Sequence, residues 1–144
     1  MSALAEQLLS EFTVEEVTNP DVGAYEDAIF VGGEARVTKK GGYMMVAQFE
    51  APRKNGTGTL RHKEYINFAK EDSHPRVKQM ALGWYRALGV VPAGTKNIPI
   101  CKDFNDAERL VSAINGDTAG KIVPISLHED DSGSLRARAI RSFS

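Results

Sequence analysis

The stretch RHKEYINF, residues 61–68, gathers two cations, a histidine and two aromatic rings into what reads as a single β-strand. Successive side chains of a strand project to opposite sides, so Arg61, Lys63, Tyr65 and Asn67 share one face, while Leu60, His62, Glu64, Ile66 and Phe68 share the other. The first set is basic, aromatic and polar. Cations follow phosphates and an exposed ring accepts the flat face of any base, which is the chemistry an unpaired polynucleotide requires. A stacked base contributes about 1–3 kcal/mol, and the cations add a salt-sensitive term through counterion release. The competing reading is an ordinary solvated strand face. Glu64 falls on the inward, apolar side, an awkward position for a carboxylate, and predicts a bulge in this strand.

Other chemistries find little support in the spacing of residues. NGDTAGKI at 115–122 has the glycines of a phosphate loop, but Gly116 and Gly120 stand too close and Ile122 occupies the position of the metal-binding hydroxyl, so a helix end and turn is expected. His62, His74 and His128 keep no metal-ligand spacing with one another or with Cys101, and neither a metal nor a cofactor is expected. Cys101 is the one cysteine, which excludes an internal disulfide framework and reads as a reduced structural thiol. DFND at 103–106 and HEDD at 128–131 adjoin a helix start and a turn, where aspartate is favoured as a cap or turn former. A metal-dependent nuclease would need those two carboxylate clusters to meet in space. Ser126 and His128 lack any residue placed to orient a base, and no catalytic residue is assigned.

The elements around 61–68 must provide the rest of the surface. Net charge is −1, yet the first 35 residues carry eight acids and no Lys or Arg, whereas 36–86 carry eleven cations against four acids. A near-neutral total thus conceals a basic middle segment, joined by the arginines of the final strand. No run approaches the ~20 apolar residues of a membrane span, and the N-terminus has no basic, then apolar, leader pattern, so a cytoplasmic location is expected, without a membrane partner.

Leu4, Leu8 and Phe12 at intervals of four predict an amphipathic, acidic helix within residues 1–18, packed on a body comprising 19–144. A first strand follows NPDVG, interrupted by Gly32-Gly33, a signal for a bulge or bend. KKGG at 39–42 turns into a second strand, YMMVAQFEA, and the basic loop PRKNGTG leads to the third. Ser73, Pro75 and Gly89 bracket a helix whose Val77, Met80, Ala81, Trp84 and Leu88 form its core stripe. A shorter helix at 104–115 and a terminal hairpin complete the chain. Three strands, a helix and a returning hairpin is the order of a five-stranded, partly open Greek-key barrel of the OB-fold type, with the 104–115 helix as an addition.

On these stretches, VGAYEDAIF, TKKGGYMMVAQFE, YINF and the helix running into ALG, the sequence resembles phage-encoded single-stranded DNA-binding proteins of the OB-fold type, across roughly residues 20–140. The resemblance implies a non-catalytic protein that protects single-stranded DNA in phage-type replication or recombination, with contacts from Lys39, Lys40, Tyr43, Arg61, Lys63 and Tyr65. From position alone, Arg53 and Lys54 in the second hairpin and Arg136 and Arg138 on the last strand join this set. Many such proteins recruit replication or recombination partners through an acidic C-terminal tail, whereas this chain ends RARAIRSFS. The alternatives are a nuclease, or an interaction or virion module that self-associates into a homo-oligomer through its N-terminal helix.

Overall fold

The computed structural model describes residues 19–54, 56–92, 94 and 97–140. The amphipathic helix expected within 1–18 lies outside them. In chain order the elements are β1 (Gly23–Tyr25), β2 (Ile29–Val37), β3 (Tyr43–Pro52), β4 (Thr59–Asn67), α1 (Pro75–Ala87), α2 (Phe104–Thr118), β5 (Ile125–Glu129) and β6 (Leu135–Ala139). The strands make two antiparallel sheets of three, β1-β5-β6 and β2-β3-β4.

This corrects the expected five-stranded Greek-key barrel: among the described residues there are six strands in two sheets, and no closed barrel. Two local features account for the difference. A turn at Glu26-Asp27 divides the predicted first strand, so that β1 pairs with β5 while β2 pairs with β3. At the opposite seam β4 and β6 share no backbone ladder, because the Glu64 carboxylate occupies the place of a carbonyl and accepts from the Ala137 N–H at 2.8 Å. Near the first seam the chain before β5 does reach β2, through Phe30 N–H to Lys121 O at 3.0 Å and Gly120 N–H to Phe30 O at 2.8 Å.

The bulge falls at the glycine pair. Pairing of β2 with β3 shifts between Phe30 and Gly32. Gly33 is demanded by close approach: a Cβ there would stand 2.7 Å from Met45 Cγ. Asn115 of α2 closes on the backbone of the same residue, accepting from Gly33 N–H at 2.8 Å and donating to Gly33 O at 3.0 Å. Asn115 therefore sits inside α2, which runs on to Thr118 instead of ending at 115 as the sequence suggested. β4 has no such irregularity; its register with β3 is unbroken from Thr59 to Asn67, so the bulge expected near Glu64 does not occur.

The core holds the aromatic side chains of Phe30, Phe49 and Trp84, with ring centroids 5.6 Å apart for the first pair and 5.7 Å for the second. α1 is capped by His74, whose Nδ1 accepts from Arg76 N–H at 3.1 Å, and not by Ser73, whose hydroxyl accepts from Lys70 N–H. Leu88 is its C-cap, and Gly89 follows at φ 75°, the left-handed conformation that suits glycine. The helix buries Ala81, Trp84, Tyr85 and Ala87. Val77 is only half-buried and Met80 is 64% exposed, so the predicted core stripe holds only in the C-terminal half of α1.

Candidate nucleic-acid interface

Strict alternation of exposed and buried residues runs the length of β4. Leu60, His62, Glu64 and Ile66 point inward, and Arg61, Lys63, Tyr65 and Asn67 face solvent, with Tyr65 51% exposed. Opposite them on β3 stand Glu50, Gln48, Val46 and Met44, in that order. Arg61 reaches Glu50 at 3.3 Å, an exposed pair that offsets part of its charge. Lys63 and Tyr65 make no hydrogen bond or ion pair with other described residues.

The inward carboxylate is fully partnered. Glu64 Oε1 takes the His62 Nε2 contact at 2.9 Å together with the Ala137 N–H, and Oε2 accepts from Arg136 Nε at 3.0 Å. Burial pushes the Glu64 carboxyl up, but the bonds from His62, the Ala137 amide and Arg136 outweigh it and hold the group below the ordinary glutamate range. Its functional consequence is positional. By tying β6 to β4, Glu64 brings Arg136 and Arg138, both exposed, to the side of Tyr65 and Asn67. Arg136 is anchored through Nε and keeps its terminal nitrogens, while Arg138 has no partner among the described residues.

The remaining predicted contacts distribute unevenly. Lys39 and Lys40 are exposed in the β2–β3 turn, held by the Thr38 hydroxyl, which accepts from Gly42 N–H at 2.8 Å. That turn lies beyond the Asn67 end of β4, since Met44 pairs with Asn67. Tyr43 does not join the outward face: it aligns with Met45, Ala47 and Phe49, lies 6.4 Å from the Phe104 ring, and carries Lys70 Nζ at 5.6 Å. Arg53 and Lys54 turn towards β1, Arg53 to Asp21 at 3.5 Å and Lys54 over the Tyr25 ring at 5.3 Å.

Along β4, then, Tyr65 shares a cleft with Arg136 and Arg138, Lys63 stands next to it on the same strand face, and the Lys39-Lys40 turn lies past one end. Between β4, α1 and β6 a cleft opens, lined by Tyr65, Asn67, Met80, Trp84, His128 and Arg138 among others. Of these, Asn67, Met80, Trp84 and His128 were not singled out as contacts in the sequence; Met80 and Trp84 fit a core stripe there, and only the place of Asn67 on the outward face of β4 hinted at the cleft.

Within the two carboxylate runs, Asp103 and Asp106 serve a helix start, Asp130 a turn, and Glu129 accepts from the Asn19 N–H. Asp103 caps α2 by accepting from Asp106 N–H at 2.8 Å, and Asp106 accepts from Lys102 N–H at 3.0 Å. Asp130 accepts from Ser132 and Ser134 in the β5–β6 turn, and those bonds hold its carboxyl below the usual range. Among the described residues no three of His, Cys, Asp and Glu gather where they could hold a metal ion. Cys101 is buried, and burial with nearby Asp106 and Asp103 pushes its thiol up to about 11. No helix among the described residues is long and apolar enough to cross a membrane. No family model matches this chain, and a search of curated proteins finds no match to it either.

Proposed function

We propose that the protein is a non-catalytic binder of single-stranded DNA with little sequence preference, of the kind that protects an unpaired strand during phage-type replication or recombination. The observation that carries this is the exposed Tyr65 ring, standing between Lys63 and the two arginines of β6, with neither Tyr65 nor Lys63 hydrogen-bonded or ion-paired among the described residues. A ring in that setting offers a base a stacking platform, and the flanking cations meet the phosphates on either side. Arg61 contributes less than its exposure suggests, because Glu50 already competes for it.

Fluorescence anisotropy with a labelled oligonucleotide tests the proposal. If about three to five phosphates are neutralised, log affinity falls against log salt with a slope of about −2 to −3.5. Absence of binding at low salt overturns it in favour of an interaction module, and magnesium-dependent shortening of the oligonucleotide overturns it in favour of a nuclease.

A further inference from the structure

The cleft between β4, α1 and β6 has a volume of about 220 Å3. Sites for drug-sized molecules run to ~300–1,000 Å3, so this one suits a single flat ring system. Its α1 wall is apolar: Trp84 is only 7% exposed, and Met80 stands 64% exposed beside it. An unbranched, polarizable thioether is well suited to lie against an aromatic ring. Tyr65 forms the β4 lip, and Arg138, unpaired among the described residues, stands at the β6 side.

Charge decides which part of a polynucleotide enters. Glu64 and Asp130 both line the cleft, and Arg136, which lines it too, is already engaged by Glu64, so a phosphate inside meets Asp130 and is favoured instead beside Arg138, unpartnered among the described residues. A neutral base meets no such penalty, and the terminal nitrogens of Arg136 and the Asn67 amide provide donors for acceptors on its edge. We infer that this cleft receives one unpaired base of the bound strand, lodged between Met80 and Tyr65, with a flanking phosphate at Arg138. The inference rests on the nucleic-acid reading above and adds a base subsite to it.

Trp84 is the only tryptophan of the chain, so its emission, excited where tyrosine does not absorb, reports on this cleft and the hollow adjoining it between α1 and β6. Titration with a thymidine oligonucleotide is expected to change Trp84 emission saturably, with the midpoint found by anisotropy. An oligonucleotide of the same length made of abasic residues is expected to bind by anisotropy while leaving the emission unchanged. Met80→Ala, an exposed substitution in a helix, is expected to weaken thymidine-strand binding by about 2- to 10-fold, the range of a sulfur–aromatic contact, and to leave abasic-strand binding unaltered. Anisotropic binding with silent tryptophan and no effect of Met80→Ala removes the base subsite and leaves the strand-binding proposal standing. An equal emission change with the abasic strand also removes it, by placing backbone in the cleft. Failure of both oligonucleotides to bind at low salt removes both ideas together.

Discussion

Two neighbouring residues of β4, Glu64 and Tyr65, separate the structural and functional demands on the strand. Tyr65 makes no hydrogen bond among the described residues, so Tyr65→Ala should leave folding intact and lower affinity for an oligonucleotide by roughly 5- to 100-fold, the equivalent of about 1–3 kcal/mol for a stacked base. Tyr65→Phe should retain most of the affinity, since the ring and not the hydroxyl makes the contact; anisotropy on both variants checks this. Glu64 behaves oppositely. Its folded-state carboxyl lies below its unfolded value of about 4.3, so the stabilisation it gives is complete above that value and is lost as pH falls through the folded one. Glu64→Gln should therefore cost about 1–3 kcal/mol near neutral pH, by disrupting bonds to Arg136 and the Ala137 amide, and the difference from wild type should shrink under acid. Urea unfolding at both pH values reads this directly, and a gap that stays constant with pH would show that the charge on Glu64 is immaterial.

At the scale of elements, what could be read from the chain was local and what could not was distant. The period-two pattern of β4, the bulge at Gly32-Gly33 and the helix over 75–87 each depend on a short window, and each is present. Division of the first strand at Glu26-Asp27 was missed because the turn-forming Asp27 is flanked by Tyr25 and by Ala28, Ile29 and Phe30, whose strand character masked it, and pairing of β1 with β5 is decided a hundred residues away. Glu64 suggested a bulge because its partners, Arg136 and Ala137, lie 72 and 73 residues further on, beyond any window of pattern. The length of α2 was misjudged for a related reason: Asn115-Gly116 resembles a helix end, yet the Asn115 amide is held within the helix by the Gly33 backbone. Gly33→Ala should test that junction, since the added methyl group must displace the buried Met45 beside a backbone already clamped by Asn115. A loss of about 1–3 kcal/mol is expected by thermal or urea unfolding, the usual cost of overpacking a core.

For the whole molecule, a net charge of −1 and a pI near 6.3 mean that attraction to a polyanion must come from local arrangement and not from the overall field. The two faces of the β2-β3-β4 sheet make the distinction measurable. Lys63 pairs with Gln48 on the solvent-facing side, whereas Gly33, paired with Ala47, belongs to the buried side that α2 covers. Arg109 is exposed on that covering helix and so lies away from the β4 track. Each phosphate contact removed from a single strand should reduce the salt slope by about 0.7, so Lys63→Ala and Arg138→Ala should each flatten it by that amount and together by about 1.4. Arg61→Ala should do less, because Glu50 shares its charge, and Arg109→Ala should do nothing. If instead all four substitutions flatten the slope alike, binding answers to charge spread over the surface, and the strand follows no track along β4 and β6.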